Sequence, residues 1–163
     1  IESEEGVGSV FTITLPFEIA AEQPQTEQPA PAKAKDISGL HLLLVEDNAL
    51  NAEIAAALLA DRGVSVELAR DGSEAVRMFR EAPAGTYAGI IMDIMMPVMD
   101  GLTATRAIRA LERADAKTIP IIAMTANAFE EDARQCLAAG MNVHLAKPLC
   151  MEELVAILAR LCA

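Results

Sequence analysis

Residues 41–48 read HLLLVEDN and residues 90–93 read IIMD. Both are runs of large apolar side chains that end in acids. A strand with one wet face alternates apolar and polar residues. An unbroken apolar run needs cover on both faces, as a central strand of a parallel sheet has. The pattern recurs at residues 119–124 (IPIIAM), and residues 143–146 (VHLA) predict a short fifth strand. Val64, Val66 and Leu68 alternate instead, which predicts a strand at the edge of the sheet.

Helical signals fill the intervals. Asn48 can cap a helix in which Leu50, Ile54, Ala57 and Leu58 share one face, and Gly63 suits its stop. Asp71-Gly72 turns the chain into a helix holding Ala75, Val76 and Phe79. Pro97 and Asp100-Gly101 mark a loop before a helix lined by Leu102, Ala104, Ala107, Ile108 and Leu111. Phe129, Ala133, Cys136 and Leu137 predict a fourth helix stopped by Gly140; Leu154, Ile157, Leu158 and Leu161 predict a fifth. Five βα units joined by right-handed crossovers give an α/β, doubly wound, five-stranded parallel sheet with helices on both faces. No GxGxxG turn follows the first strand, which argues against a dinucleotide site.

Composition divides the 163 residues into three zones. Residues 1–19 carry a Gly-rich turn, then an alternating strand pattern from Val10 to Leu15. Residues 20–38 are rich in Ala, Gln, Pro and Glu and read as an extended linker. Residues 39–163 hold the βα repeats. The net charge of −11 repels nucleic acid and anionic membrane surfaces, so no nucleic-acid partner and no direct membrane contact are expected. Neither a membrane-length apolar run nor a signal peptide is present. Cys136, Cys150 and Cys162 lack metal-ligand spacing and read as reduced thiols of a cytoplasmic protein. The chain begins at Ile1, as expected of a piece of a longer protein.

Sites in such sheets form at the carboxyl ends of the strands. The first strand ends in Glu46-Asp47, the third in Asp93, the fourth in Thr125-Ala126 and the fifth in Lys147-Pro148. Three carboxylates on one rim repel each other unless a cation joins them. Hard oxygen donors favour Mg2+, with Mn2+ as a substitute. Three acids, one Lys and one divalent ion sum to about zero formal charge. A carboxylate in that setting can attack phosphorus to form an acyl phosphate, with Lys147 and Thr125 on the phosphoryl oxygens.

The pieces LLLVEDNALN (42–51), ARDGSEA (69–75), IIMDIMMPVMDG (90–101), IPIIAMTANA (119–128) and GMNVHLAKPL (140–149) stand in order at element-sized spacing. Together they resemble a response-regulator receiver domain across residues 39–163. The resemblance implies a flavodoxin-like strand order 2-1-3-4-5. It implies Asp93 as phosphoacceptor, and Mg2+ held by Asp47, Asp93, the Met95 backbone carbonyl and Glu46, the last often through water. It assigns Thr125 and Lys147 to the phosphoryl group, and implies a cis Lys147-Pro148 peptide. His144 matches the family's aromatic switch position, usually Tyr or Phe; the plain alternative is a half-exposed strand His. Met95 and Asn127 match the positions flanking the path of hydrolytic water, and a Met there cannot orient water, so slow autodephosphorylation is expected. Val143 departs from the acid common there in relatives, which could enlarge an apolar docking surface.

EEGVGSVFTITLPF (4–17) resembles the closing turn and final strand of a histidine-kinase ATP-binding domain. A kinase tail, a linker and a receiver in that order resemble a hybrid sensor histidine kinase, and the resemblance is compatible with a full-length parent anchored in a bacterial inner membrane. The implied partners are the kinase core or a His-containing phosphotransfer domain. The piece lacks the phosphorylatable His box and most ATP-site motifs, so no kinase activity of its own is expected. An open N-terminal strand edge leaves pairing into a homodimer open. The alternative is a regulatory docking module that is rarely phosphorylated. A phosphohydrolase of the haloacid-dehalogenase type would need a second Asp two residues past the nucleophile, where Met95 stands.

Overall fold

A computed structural model describes residues 2–4, 8–10, 12, 36–125 and 130–162. The chain divides into two units, Ile1–Ala32 and Lys33–Ala163. In the first, β1 (Glu2–Glu4) and β2 (Gly8–Val10) pair antiparallel, with Ser3 opposite Ser9. Of the strand expected over residues 10–15, only Val10, at the end of β2, and Thr12, outside any strand, lie within the described residues.

The second unit alternates strand and helix. Its elements are β3 (His41–Val45), α1 (Ala49–Ala60), β4 (Ser65–Ala69), α2 (Gly72–Glu81), β5 (Gly89–Asp93), α3 (Gly101–Arg109), β6 (Ile121–Thr125), α4 (Glu130–Ala139), β7 (Val143–Ala146) and α5 (Met151–Leu161). The sheet runs β4-β3-β5-β6-β7 with every pairing parallel. Counted among these five strands alone, the order is 2-1-3-4-5, the flavodoxin-like arrangement expected from the resemblance. The apolar runs are the inner strands: all five residues of β5 and all five of β6 are buried. Strand β4 lies at an edge and leaves Leu68 46% exposed.

Alternate residues of the inner strands feed two cores. Leu43, Val45, Ile90 and Met92 point to one, where Phe79 of α2 and Ile108 of α3 meet them. Leu42, Leu44, Ile91 and Ile122 point to the other, closed by Leu59 of α1 and by Leu154 and Leu158 of α5. Ile37, placed by composition in the linker, is 4% exposed and packs with the second core, so packing begins before Gly39. The Asn48 cap is as expected, and Asp71 and Asp100, read as turn and loop residues, cap the two helices that follow. Asn48 Oδ1 accepts from the Leu50 and Asn51 N–H groups, Asp71 from Glu74 N–H and Asp100 from Thr103 N–H.

One expected face is overturned. Leu50, Ile54 and Leu58 of α1 are 65%, 50% and 39% exposed, while Ala52, Ala55 and Leu59 are buried. The helix reads ALNAEIAAALLA and is apolar all round, so periodicity cannot choose its face. The structure turns the Ala face inward, where small side chains allow close approach to the sheet. Leu137 of α4 is likewise 57% exposed, against the expected burial, while Cys136 beside it is buried. Phe129 lies outside the described residues. Among the described residues, no helix is long and apolar enough to cross a membrane.

Candidate functional site

Strands β3, β5 and β6 and the residue after β7 deliver Glu46, Asp93, Thr125 and Lys147 to one rim. Asp93 is the last residue of β5 and 4% exposed. Glu46 follows β3 directly and is 5% exposed. Lys147 Nζ donates to Asp93 Oδ2 and to Glu46 Oε2, each at 2.6 Å. One ammonium therefore ties together two strand ends. Asp93 Oδ1 accepts from Met95 N–H at 3.1 Å. Glu46 Oε1 accepts from Asn51 Nδ2 at 3.1 Å and, more loosely, from Asn48 N–H at 3.4 Å.

The backbone explains this convergence. Lys147 N–H donates to the Thr125 carbonyl at 2.7 Å, which docks the start of the β7–α5 loop on the end of β6. The Lys147-Pro148 peptide is cis, as expected. Thr125 is 4% exposed, and its hydroxyl donates to the Leu145 carbonyl at 3.4 Å. Beyond Asp93 the chain doubles back, with Gly101 N–H donating to the Ile94 carbonyl at 3.0 Å. A Cβ on Gly101 would stand 2.1 Å from the Asp93 carbonyl oxygen, so only glycine fits there. In the same loop Val98 has φ +66°, a left-handed backbone that β-branched residues resist.

Charge and burial set the chemistry. Burial pushes the Asp93 carboxyl above its usual value, against the Lys147 hydrogen bond, which pulls it down. Burial alone would pull the Lys147 ammonium down, but its bonds to Asp93 and Glu46 outweigh that and hold it above its usual value. Asp47 is exposed beside them. Glu46, Asp47 and Asp93 can each offer one carboxylate oxygen, all within 4.8 Å of one another. Lys147 offsets one of their three charges, and two remain. A hard divalent cation fits that donor set in size and charge.

Met95 is 74% exposed, two residues beyond Asp93. His144 is half-buried on β7 opposite Ala123, two positions short of the Thr125–Ala146 pair that ends the strand. Asn127 lies outside the described residues. Sequence reading passed over Asn51; the only available signal was a polar residue in an otherwise apolar first turn. It also passed over a cavity of about 490 Å³ beside the rim, walled by Leu44, Ile54, Leu58, Met124 and Leu149, with Glu46, Asn51 and Lys147 as its polar lining.

Residues 42–159 match the family described as response regulator receiver domain. Two-component system protein A of Emericella nidulans is 40% identical over 151 residues, covering 92% of this chain and 20% of that protein. The crystal structure of the receiver domain of sensor histidine kinase PA1611 from Pseudomonas aeruginosa PAO1, with a magnesium ion coordinated in the active site cleft, is 46% identical. It aligns with a TM-score of 0.68, covering 77% of this chain and 98% of that one. The receiver domain of the response regulator Ssk1 of Saccharomyces cerevisiae, co-crystallised with the histidine phosphotransfer protein Ypd1, aligns with a TM-score of 0.67 at 30% identity, covering 76% of this chain and 88% of that one. The chain spans about a fifth, or less, of the length of the curated relatives it matches, among them two hybrid signal transduction histidine kinases of Dictyostelium discoideum. The chain belongs to the response regulator receiver family, the phosphorelay modules that such kinases carry.

Proposed function

We propose that Asp93 of this receiver accepts a phosphoryl group from a phosphohistidine. The observation that carries the reading is the buried Asp93–Lys147–Glu46 bridge with Asp47 beside it. An Asp93 oxygen attacks phosphorus, the phosphorus–nitrogen bond breaks, and the imidazole nitrogen keeps the electron pair. The product is an acyl phosphate on Asp93 and a free histidine on the donor. Asp47, Asp93, the Met95 carbonyl and Glu46 would hold Mg2+, as the magnesium-bound relative supports. When bound, the ion neutralises carboxylate charge and stabilises the transferring oxygens.

The other residues act around that step. Lys147 passes from the Asp93 carboxylate to a phosphoryl oxygen. The Thr125 hydroxyl turns from the Leu145 carbonyl toward the same group, and His144 on the neighbouring strand follows it inward. The face of α4, β7 and α5 then changes its affinity for a partner. Met95, and Asn127 by its place in the sequence, flank the approach of water, and Met95 slows hydrolysis of the acyl phosphate.

The phosphodonor or acceptor is a His-containing phosphotransfer domain or a kinase core. The yeast receiver paired with a phosphotransfer protein supports this, as do Leu50, Ile54 and Leu58, an exposed apolar row next to the rim. The chain works on the cytoplasmic side, as the receiver part of a hybrid histidine kinase, with residues 1–19 the end of its ATP-binding domain. Incubation with acetyl phosphate and Mg2+ tests the reading by intact mass. The expected gain is one phosphoryl group, absent in Asp93→Ala and without Mg2+. A chain that gains no mass, or gains it equally with Asp93→Ala, refutes the assignment.

A further inference from the structure

Asn51 stands in the first turn of α1, a helix otherwise built almost wholly of Ala and Leu. Asn is less favourable than Ala in a helix, so local propensity does not account for it. Its own N–H is satisfied by the Asn48 cap, and it lies on the exposed side, so core packing does not account for it either. Among the described residues its side chain has one specific partner: Nδ2 donates to Glu46 Oε1 at 3.1 Å.

That contact fixes a carboxylate with two jobs. Glu46 Oε2 holds Lys147 at 2.6 Å, and the same ammonium holds Asp93. Without the Asn51 amide, Oε1 would keep only the long bond from Asn48 N–H at 3.4 Å. The carboxylate could then rotate and draw Lys147 onto both its oxygens, away from Asp93. A neutral amide suits the task, because a cation at residue 51 would compete with a metal and an acid would add a fourth like charge.

We propose that Asn51 is a positioning residue. It orients Glu46 so that Glu46, Asp47 and Asp93 present a single divalent-cation site while Lys147 stays on Asp93. The inference rests on the proposed function for the identity of the site, and assigns to Asn51 a role of its own within it.

Calorimetric titration of the full chain with Mg2+ tests it, using Asn51→Ala, Glu46→Gln and the double variant. Loss of an outer contact to a metal ligand weakens binding roughly tenfold to a hundredfold; water can partly replace an exposed amide, so about fivefold to tenfold is expected for N51A. In the E46Q background the same change should cost less than twofold, because Asn51 acts through Glu46. The melting temperature of N51A should stay within a few degrees of the unsubstituted chain, since the Ala gain in helix propensity offsets part of the lost contact to Glu46. A metal-free readout stands beside these: the side-chain amide resonances of Asn51 should shift in E46Q. Mg2+ binding by N51A within twofold of the unsubstituted chain overturns the proposal. Equal losses from N51A in both backgrounds, or unmoved amide resonances, overturn it too. No Mg2+ binding by the unsubstituted chain overturns instead the proposed function on which it rests.

Discussion

Replacing Lys147 with methionine keeps most of the side-chain stem and removes the ammonium that joins Glu46 and Asp93. Both carboxylates are about 95% buried by exposure, at 5% and 4%, and each loses a 2.6 Å charged hydrogen bond. Breaking a buried ion pair from one side costs about 3–5 kcal/mol. Lys147 itself is 26% exposed, so water already screens part of its field, and a loss of about 2–3 kcal/mol at neutral pH is expected. For a domain of this size that is roughly 8–12 °C in Tm.

The variant should also acquire a distinctive pH dependence. Burial already pushes Asp93 upward, and Lys147 supplies the main opposing pull. With that pull gone, the folded Asp93 carboxyl binds its proton more tightly than the unfolded one. A group with a raised folded value stabilises the fold at low pH and loses that contribution as pH rises. K147M should therefore be closest to the unsubstituted chain near pH 4 and fall away from it above that. Mg2+ should restore part of the loss, about 1.4 kcal/mol when its concentration is ten times its Kd. Urea unfolding followed by circular dichroism between pH 4 and 8, with and without Mg2+, reads all three effects. A loss below about 0.5 kcal/mol that does not vary with pH would show that the bridge does not hold the site's charges, and would refute the reasoning.

Three further substitutions probe the scaffold. Arg109 donates to the Ala116, Ile119 and Gly140 carbonyls at 2.7, 2.8 and 3.0 Å; Arg109→Met should cost about 2–4 kcal/mol in urea unfolding by leaving them unsatisfied. Arg113 grips both oxygens of Asp115 at 2.6 and 2.8 Å and holds its carboxyl down at about 2. A depressed folded value stabilises at higher pH, so Asp115→Asn should lose about 1 kcal/mol at pH 7. Thermal melts should show that deficit shrinking as pH falls from about 4 toward 2. Val98 is 88% exposed with φ +66°, so Val98→Asn should raise stability by about 1 kcal/mol, read as a higher Tm.

The order of strands and helices was legible because each signal is local. Apolar runs mark β3, β5 and β6, and Asn48, Asp71 and Asp100 cap α1, α2 and α3 within three residues of themselves. The rim acids were legible for the same reason: a residue that ends a strand is found by finding the strand. The lateral order β4-β3-β5-β6-β7 came from resemblance, because periodicity within an element does not say which element lies beside it. The inward face of α1 was misread because Leu50 and Leu59 are equally apolar; which one is covered depends on how closely the helix approaches the sheet, and the Ala face approaches closer.

By itself, the sequence determined which groups reach one end of a parallel sheet, since strand direction and burial are written in neighbouring residues. Tertiary structure alone decided what those groups hold. Lys147 lies 101 positions from Glu46 and 54 from Asp93, yet its ammonium binds both. Arg109 likewise ties the Ala116 and Ile119 carbonyls of one loop to the Gly140 carbonyl after α4. Such contacts depend on distances set by the packed sheet, and no local pattern encodes them. That packing places one ammonium between two buried carboxylates and leaves Asp47 free at the mouth of the site.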